Sequence, residues 1–260
     1  MENLKFLEGK VAFITGGAKG IGLAVAQALI SCGARVMLAD VESDLASQRA
    51  EELGMNAAST GLDVRDEAAT EAALKATLEC FGRVDIVIPN AGILLLKHAV
   101  DLSAAEFRSV LDVNLTGAFI TASVFSRHLI EQGNGGRLVL TSSLFGLRGG
   151  KENSAYSASK FGMIGLMQCL AAELAQYDIL VNCVCPGQMD TDMIRQLFRD
   201  RAEITGTTEM EVHKSLVDRI PLGHLGSLDK LAGTYVYLAS PLSQYVTGQS
   251  ITVDGGWQLG

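Results

Sequence analysis

The chain has 260 residues, of which 48% are apolar and 19% charged, a balance typical of a globular protein with a substantial core. Its net charge of −8, without a clustered Lys/Arg stripe in the sequence, argues against a nucleic-acid partner. No uncharged apolar run approaches the roughly 18 to 20 residues needed to cross a bilayer, and the opening MENLKFLEGK is charged where a signal peptide would be apolar. We therefore expect a cytoplasmic protein without membrane contact.

The cysteines and histidines do not form a recognisable metal or disulfide pattern. The five cysteines are scattered without a C-x-x-C pair, and the four histidines lack metal-ligand spacing. Cys183 and Cys185 alternate along an apolar run and are interpreted as core residues. The sequence predicts neither a disulfide framework nor a metal site.

Seven short apolar runs, rich in β-branched residues, alternate with helical patterns. In chain order they cover residues 11–15, 35–40, 57–63, 84–89, 137–143, 180–185 and 250–253. This alternation, without a Pro/Ser-rich linker, predicts an α/β fold in one domain spanning residues 1–260. We expect a doubly wound, seven-stranded parallel sheet, Rossmann-like, with helices on both faces.

A glycine-rich loop, TGGAKGIG at residues 15–22, follows the first predicted strand and opens a helix. Gly16 permits a tight turn, Gly20 lets the backbone approach a pyrophosphate, and Gly22 allows the helix to pack closely on the strand. The helix N-terminus offers unpaired N–H groups to phosphate. A glycine-rich structural turn is the alternative, but the strand-to-helix setting favours a dinucleotide site.

Asp40 ends the second predicted strand, 18 residues after Gly22. An acidic side chain there can accept hydrogen bonds from both hydroxyls of an adenosine ribose and would repel a 2′-phosphate, which favours NAD over NADP. Lys19 is a contrary signal, because it can reach toward such a phosphate. If Asp40 is instead a water-exposed cap of the strand, it predicts no discrimination between the two cofactors.

Several other chemically notable residues also follow predicted strands. They are Asp63, Asn90-Ala91-Gly92, Ser143 and Pro186-Gly187. Because parallel strands with right-handed crossovers end on one edge of the sheet, these segments and the glycine loop are expected to converge there. The segment at about 191–218 is longer than an ordinary connection, and its position beside this edge predicts a substrate lid.

Tyr156 and Lys160 are separated by one helical turn, which places both side chains on one face. An ammonium in that position stabilises a phenolate. An isolated Y-x-x-x-K pair also fits a surface tyrosine beside a solvated lysine. The phosphate loop favours the other interpretation, in which Tyr156 is a general acid/base.

In combination, these motifs resemble the short-chain dehydrogenases/reductases, in their compact single-domain branch, over essentially the whole chain. The matching elements are T-G-x-x-x-G-x-G at 15–22, Asp63-Val64, N-A-G at 90–92, Val113-Asn114-Leu115, Ser143 thirteen residues before Tyr156, Y-x-x-x-K, and P-G-x-x-x-T at 186–191. Pro89 departs from the family, which more often has Asn there. A proline does not donate to the ladder, so we expect this strand end to be locally unpaired.

The resemblance implies a role for each matching position. The implied catalytic residues are Asn114, Ser143, Tyr156 and Lys160. The implied cofactor-binding residues are Gly16, Lys19, Gly20, Ile21, Gly22, Asp40, Asp63, Val64, Asn90, Ala91, Gly92, Tyr156, Lys160, Pro186, Gly187, Met189 and Thr191. Asp63 and Val64 would contact adenine, and the segment from Pro186 to Thr191 would contact the nicotinamide. Ser142 is a neighbouring hydroxyl, but the spacing to Tyr156 selects Ser143.

The implied chemistry pairs hydride transfer with proton transfer at the substrate oxygen. Tyr156 would move the proton, its pKa lowered from about 10 by Lys160 and by the positive nicotinamide ring. Lys160 would also hold the nicotinamide ribose. Ser143 would donate a hydrogen bond to the substrate oxygen, and Asn114 would position a water for a proton relay through Lys160.

The predicted function is an NAD-dependent oxidoreductase of secondary alcohols and ketones, resembling the polyol, sugar and acetoin dehydrogenases. A 3-oxoacyl thioester reductase is the alternative enzyme, because residues 186–193 resemble that group. A regulator that binds NAD without turnover is the alternative of another class, although a regulator does not need a proton relay.

The helix that carries Tyr156 has a second face of small residues suited to close contact with another helix, across a subunit boundary or within one subunit. That face consists of Ala158, Gly162, Gly165, Cys169 and Ala172. The resemblance implies a homotetramer, because members of the family frequently form one. Packing within one subunit is the alternative for this face.

Overall fold

The computed structural model describes residues 5–259, in which strands and helices alternate as the sequence predicts. The strands are β1 (Val11–Thr15), β2 (Arg35–Asp40), β3 (Ala57–Gly61), β4 (Ile86–Ile88), β5 (Gly136–Thr141), β6 (Ile179–Pro186) and β7 (Ser250–Val253). The α-helices are α1 (Gly20–Ser31), α2 (Ser43–Leu53), α3 (Glu67–Phe81), α4 (Ala104–Leu111), α5 (Gly117–Gln132), α6 (Ser154–Leu174), α7 (Asp192–Thr205), α8 (Glu209–Val217) and α9 (Leu228–Ala239).

All seven strands form one parallel sheet in the order β3-β2-β1-β4-β5-β6-β7. The strand order reverses between β1 and β4. Helix α1, which follows β1, packs on one face of the sheet, and helix α5, in the segment after β4, packs on the other. In sheets of this kind the ligand crevice lies at that reversal, beyond the carboxyl ends of the strands. The predicted doubly wound Rossmann-like fold is confirmed.

The core has one layer on each face of the sheet, because successive strand residues point to opposite sides. Phe13 packs with Phe125 in one layer, with their ring centroids 4.2 Å apart. The neighbouring Ile14 packs with Leu29 and Tyr235 in the other layer. Helices α3, α5 and α6 cover the first face, and helices α1 and α9 cover the second.

Helix α4, a π-helical turn at Asp112–Thr116 and helix α5 form one continuous helix, Ala104–Gln132. By length and composition this helix would suffice to cross a membrane, but half of its most apolar window is buried inside the fold. It packs against α3, α6 and β5. A core helix meets the same length and composition criteria, and this helix contributes to one core layer.

Candidate functional site

In the glycine loop, the backbone after β1 lies directly against the backbone of the first turn of α1. Gly16 and Gly20 have φ values of 63° and 56°, in the left-handed region that favours glycine. A Cβ atom on Gly22 would lie 2.1 Å from the Gly16 carbonyl oxygen, so no side chain fits there. The N-cap residue Lys19 makes no side-chain cap hydrogen bond. The first N–H groups of α1 are therefore left for an anion.

The loops after β1 and β4 are tied together at the strand reversal. Thr15 Oγ1 accepts hydrogen bonds from the backbone N–H groups of Asn90 (2.9 Å) and Ala91 (3.0 Å). Asn90 Nδ2 donates to the carbonyl oxygens of Thr15 (3.0 Å) and Gly16 (3.1 Å). The N-A-G segment thus fixes the shape of the glycine loop.

Pro89 changes this strand end less than the sequence analysis expects. Strand β4 ends at Ile88, one residue before the proline. The Pro89 carbonyl oxygen still accepts a hydrogen bond from the Thr141 N–H at 3.0 Å. Pro89 lacks only the backbone N–H donor, and its carbonyl still bonds to β5.

Carboxylates surround the end of β2. Asp40 is 7% exposed, and its Oδ2 and Oδ1 atoms accept hydrogen bonds from the N–H groups of Ala18 and Glu42, each at 3.0 Å. Lys19 forms an ion pair with Glu42, and this hydrogen bond raises the pKa of Lys19. The predicted contrary cation is therefore already paired with a carboxylate.

Asp63 and Val64 follow β3 at the same edge. The Arg65 side chain donates to both carboxylate oxygens of Asp63, and these hydrogen bonds lower the pKa of Asp63. Val64 is buried and packs so closely on Gly117 that a Cβ atom at Gly117 would lie 2.5 Å from Val64 Cγ2. Arg65 and Val64 thereby fix this segment to α5 and to its own turn.

The segment after β6 forms the opposite wall. The Gly187 N–H donates to the Val253 carbonyl at 2.9 Å, and a Cβ atom on Gly187 would lie 2.6 Å from Asp254 Cα. The Met189 side chain is buried against the second core layer. Thr191 Oγ1 accepts a hydrogen bond from Ile194 N at 3.2 Å and caps helix α7.

The two serines after β5 point to different partners. Ser142 Oγ donates to the Lys160 carbonyl at 3.0 Å, within the protein. Ser143 Oγ accepts from Phe145 N at 3.1 Å and stands close enough to Tyr156 to lower the pKa of its phenol. Ser143 and Tyr156 thus place two hydroxyl groups side by side.

The environment of Tyr156 differs from the sequence expectation. Burial raises the pKa of Tyr156 above its ordinary value, and the neighbouring Ser143 hydroxyl opposes this effect only in part. Lys160 Nζ lies 5.6 Å from the centre of the Tyr156 ring and donates to the Thr141 carbonyl at 2.8 Å. Because the protein around these side chains penalises charge, the phenol stays protonated near neutral pH.

Lys160 is itself almost completely buried, and this desolvation lowers its pKa to about 8. The nearby Cys183 and Cys185 thiols are buried as well, and burial raises their pKa values. Both cysteines belong to the core, as the sequence analysis expects. A lysine with this pKa is still mostly protonated at neutral pH.

Asn114 lies in the π-helical turn, where its amide is engaged with protein groups. Its Oδ1 atom accepts from Ile93 N (2.8 Å), and its Nδ2 atom donates to the Ile93 carbonyl (2.9 Å) and to Ser159 Oγ (3.1 Å). This side chain fixes the loop after β4 to α6. Both amide hydrogens are used, so the predicted water would have to bind at the remaining acceptor capacity of Asn114.

These elements enclose one cavity of about 770 Å³, within the range typical of ligand sites. All the predicted catalytic and cofactor-binding residues line it except Gly22 and Asn114. Gly22 and Asn114 instead contact residues that line the cavity: Gly22 packs against Gly16, and Asn114 is hydrogen-bonded to Ile93.

Comparison with known proteins then decides the family. A family model described as enoyl-(acyl carrier protein) reductase matches residues 16–258. The crystal structure of a short-chain type dehydrogenase/reductase from Mycobacterium marinum is 34% identical, covers 99% of this chain and 99% of that one, and has a TM-score of 0.91. The chain is a short-chain dehydrogenase/reductase. It is therefore an NAD(P)-dependent oxidoreductase acting on alcohols and ketones.

Individual relatives of this dehydrogenase/reductase differ in substrate. L-rhamnose 1-dehydrogenase (NAD(P)(+)) from Azotobacter vinelandii is 36% identical over 95% of this chain and 96% of the relative. The 2-dehydro-3-deoxy-D-gluconate 5-dehydrogenase of Escherichia coli is 34% identical over 96% of each. The structure of a 3-ketoacyl-(acyl-carrier-protein) reductase from Brucella melitensis complexed with NADH is 31% identical, covers 96% of this chain and 99% of that one, and has a TM-score of 0.88.

The short-chain dehydrogenase/reductase cavity includes residues that the motifs do not identify. Glu42, Arg65 and Gln188 line it beside predicted residues. The only sequence signal for Glu42 and Arg65 is their charge, two residues after Asp40 and Asp63. Gln188 stands inside P-G-x-x-x-T at a variable position, so its identity does not mark it.

Helix α7 lines the cavity, and helix α8 packs on α7 in an apolar cluster that also includes Leu96. Ile194, Leu197 and Phe198 of α7 pack with Val212 and Leu216 of α8. Several α7 residues line the cavity as well. The predicted lid segment thus forms a helical pair of which α7 borders the cavity.

Proposed function

We propose that this enzyme interconverts a secondary alcohol and a ketone of a polyol, sugar or small hydroxyketone with NAD, with Tyr156 as general acid/base. The observation that carries the proposal is the convergence of Ser143, Tyr156 and Lys160 in the same cavity as the glycine loop. The sugar and sugar-acid dehydrogenases among the relatives support the substrate class.

The residues present fit a dinucleotide. The close approach of Gly16 and Gly22 leaves no space for a side chain at the N-terminus of α1, where uncapped N–H groups suit a pyrophosphate. Asp40 has acceptor capacity beyond its two backbone hydrogen bonds, which suits ribose hydroxyls. When bound, the nicotinamide ring would accept or supply the hydride.

The acidic end of β2 supports NAD over NADP. Asp40 and Glu42 place two carboxylates there, and Lys19, the nearby cation, is paired with Glu42. A 2′-phosphate at this position would face net negative charge, whereas ribose hydroxyls would find acceptors.

The hydroxyl groups of Ser143 and Tyr156 both act on the substrate oxygen in this proposal. Ser143 donates a hydrogen bond to that oxygen and favours its polarised form. Tyr156 gives its proton to the oxygen in reduction, a role suited to a phenol whose pKa is raised by burial. In oxidation, Tyr156 takes the proton, and the ammonium of Lys160 supports the phenolate.

Asn114 acts in this proposal as a positioning residue. Its hydrogen bonds to Ile93 and Ser159 join the loop after β4 to helix α6, which carries Tyr156 and Lys160. A water for the proton relay remains part of the proposal, bound through acceptor capacity that the Asn114 amide oxygen retains.

A 3-oxoacyl thioester reductase is the second candidate. The apolar residues Leu144, Phe145 and Leu197 line the cavity and would suit an acyl chain. The Brucella melitensis structure supports this candidate by its similarity. A regulator without turnover is disfavoured, because it would not need Tyr156, Ser143 and Lys160 in one cavity.

The decisive experiment follows NADH absorbance with the purified protein. Polyols, sugars, hydroxy acids and 3-hydroxyacyl thioesters are compared with both NAD and NADP. Turnover of polyols or sugars with NAD supports the proposal, and a preference for the thioesters supports the second candidate. Failure of every alcohol with NAD and NADP, and of the corresponding ketones with NADH and NADPH, would favour a regulator.

The Tyr156→Phe variant tests the mechanism. It removes only the proton-transferring oxygen, so we expect turnover to fall at least about 100-fold, while fluorescence titration shows unchanged NADH binding. Tyr177→Phe, at an exposed tyrosine after α6, is the control and should retain full activity. Near-normal turnover by Tyr156→Phe would eliminate Tyr156 as the acid/base.

A further inference from the structure

The single tryptophan of the chain packs against the loop that follows Ser143. Trp257 is 3% exposed and lies in an apolar cluster with Leu144 and Phe145, against which the Tyr156 side chain also packs. The Trp257 and Phe145 rings meet edge to face, with their centroids 6.1 Å apart and their planes at 69°. This arrangement is favourable for two aromatic rings. The last turn of the described chain therefore contacts side chains next to the proposed acid/base.

Phe145 is linked to Ser143 through its backbone. The Phe145 N–H donates to Ser143 Oγ at 3.1 Å, and the Gly146 N–H donates to the Ser143 carbonyl at 2.9 Å, so Ser143 caps one short helical turn. This turn also lies against α6, because a Cβ atom on Gly146 would be 2.7 Å from the Lys160 carbonyl oxygen. A shift of Phe145 would move its N–H away from Ser143 Oγ and would disturb the hydroxyl proposed to bind the substrate oxygen.

The backbone around Asp254 fixes the position of Trp257. The Asp254 side chain accepts hydrogen bonds from Gly256 N (2.9 Å) and Gln258 N (3.1 Å), and its carbonyl accepts from Trp257 N at 3.2 Å. Asp254 also lies in close contact with Gly187, in the cavity wall after β6. This turn therefore joins that wall to the loop after Ser143 through the Trp257 side chain.

Two guanidinium groups lie over the indole ring of Trp257. The guanidinium carbons of Arg219 and Arg148 are 4.0 Å and 4.9 Å from the ring centre. A cation in such a position is attracted to the face of an indole. Arg148 belongs to the loop before α6, and Arg219 belongs to the segment after α8. Trp257 is thus in contact with two further segments of the chain.

We propose that Trp257 is a positioning residue for Ser143: its ring holds Phe145, and the Phe145 N–H holds the Ser143 hydroxyl in place for the substrate oxygen. This inference rests on the proposed oxidoreductase function and adds a residue outside the sequence motifs. Phe145 is among the described residues that line the cavity, whereas Trp257 packs behind it.

A double-mutant cycle of Trp257→Leu and Ser143→Ala tests this coupling. The assay follows NADH formation from NAD, first with sorbitol and L-rhamnose and otherwise with the alcohol of the panel that the wild type oxidises fastest. Ser143→Ala removes the donor and should lower kcat about 100-fold. Trp257→Leu displaces this hydroxyl, so kcat should fall about tenfold in the wild-type background and less than about twofold in the Ser143→Ala background. Trp257→Phe keeps an aromatic ring against Phe145 and should stay within about threefold of the wild type.

Hydrogen–deuterium exchange measured by mass spectrometry gives a readout that does not depend on turnover. If Trp257 holds the turn after Ser143, Trp257→Leu should raise the exchange rate of peptides that cover residues 143–147 at least about threefold. Peptides that cover the glycine loop, residues 15–22, should exchange as in the wild type.

The matched control is Phe125→Leu, which removes an aromatic contact with Phe13 from the first core layer. It should lower the thermal midpoint, whereas kcat should change less than about twofold and exchange at residues 143–147 should match the wild type. If Trp257→Leu does not fold, Arg219→Met takes its place in the cycle, because Arg219 is exposed. Loss of the cation over the indole should lower kcat about twofold to threefold in the wild-type background and leave it unchanged in the Ser143→Ala background.

The results separate this inference from the proposed function. Equal effects of the Trp257→Leu or Arg219→Met change in the two backgrounds, or unchanged exchange at residues 143–147 in Trp257→Leu, overturn the inference while oxidoreductase activity stands. If the wild type turns over no compound of the panel, the proposed function fails and the catalytic role of Trp257 fails with it. Raised exchange in Trp257→Leu would in that case still support the contact between Trp257 and the turn after Ser143.

Discussion

At the scale of single residues, the cofactor end of the site is governed by the carboxylates after β2. Asp40 is fixed by two backbone N–H groups, whereas Glu42 is half-exposed and holds Lys19. Asp40 therefore also holds the backbone of the glycine loop and of the turn after β2, besides any contact with ribose. Glu42 can be neutralised without loss of a buried hydrogen bond, which makes it the cleaner position for a test of cofactor choice.

We expect Glu42→Gln to raise kcat/KM for NADP relative to NAD by about threefold to tenfold, because Lys19 is released and one repelling charge is removed. Asp40→Ser should shift the ratio in the same direction and also lower the thermal midpoint. Steady-state kinetics with both cofactors measures the ratio. Glu51→Gln, at an exposed charge on helix α2, which begins just after Glu42, is the control. Equal ratios in Glu42→Gln and wild type would remove Glu42 from cofactor choice.

Burial of Lys160 predicts a pH dependence of stability. Its folded pKa of about 8 lies below the ordinary value of 10.5. Between these pH values the unfolded chain holds a proton that the folded protein has released, so this group makes the free energy of unfolding rise with pH. Tyr156, Cys183 and Cys185, whose pKa values are raised, contribute with the opposite sign.

Lys160→Met removes the lysine contribution and leaves the other three groups in place. We expect its stability relative to wild type to be highest at pH 7 and to decline as the pH rises through about 8 toward 10.5. Urea unfolding at several pH values measures the difference. Lys75→Met, at a side chain 79% exposed, should show a flat difference. A flat difference for Lys160→Met as well would mean that burial does not perturb Lys160.

At the scale of elements, the α7–α8 pair is joined to the loop before α6 by one partly buried ion pair. Arg201 Nη2 lies 3.6 Å from Glu152 Oε2 and 3.4 Å from the Lys151 carbonyl. Glu152 has a φ of 56°, an unusual conformation for this residue, held by a hydrogen bond from Lys97 N to its carbonyl at 2.8 Å. The loop that ends in Asn153 is therefore held from two sides.

If α7 and α8 act as a lid, Arg201→Met should weaken the attachment of this helical pair to the loop before α6. We expect KM for the alcohol substrate to rise about threefold to tenfold, with a smaller change in kcat. The reason is that the variant affects closure of the lid over the substrate and leaves the proton-transferring residues in place. Arg195→Met is the control, since Arg195 makes only exposed ion pairs, which contribute little. A fall in kcat at constant KM would contradict the lid interpretation.

The sequence pattern predicts the seven strands well, because short apolar runs that alternate with helical patterns fit few structures other than strands. Differences occur at strand ends. Strands β3 and β5 each end two residues earlier than predicted, although Leu62 N still bonds the Asp40 carbonyl and Ser142 N bonds the Val184 carbonyl. Strand β4 starts at Ile86, not at Val84, and Val11 N bonds the Asp85 carboxylate at this end.

The sequence predicts the location of site residues that follow directly after strands. It does not predict features that depend on the direction of side chains. The parallel sheet places Asp40, Ser143 and Gly187 on one edge whatever the loops do. The Lys19–Glu42 pair arises from contact between segments that are distant in the chain, which spacing in the sequence does not encode. The π-helical turn that holds Asn114 has no sequence signature of this kind either.

At the scale of the whole molecule, the outer surface of α6 remains without a partner within residues 5–259. Gly162 is an exception to the predicted small-residue face, because a Cβ atom there would lie 2.7 Å from Leu115 Cδ2 of the same subunit. The other predicted positions, Ala158, Gly165, Cys169 and Ala172, are exposed. Phe161 on the same helix is 46% exposed. We infer that this face packs against a second copy of the chain in a homotetramer.

Gly165→Arg tests this assembly. The position has no atom within 4 Å of an added Cβ, so an arginine fits on the surface of an isolated subunit, whereas in a helix–helix contact it would clash. We expect the wild type to sediment as a tetramer and Gly165→Arg as a smaller species with the same circular dichroism. Ala72→Arg, on the exposed side of α3, is the control and should sediment like the wild type. A monomeric wild type, or a Gly165→Arg variant of unchanged mass, would show that α6 does not contribute to an interface between subunits.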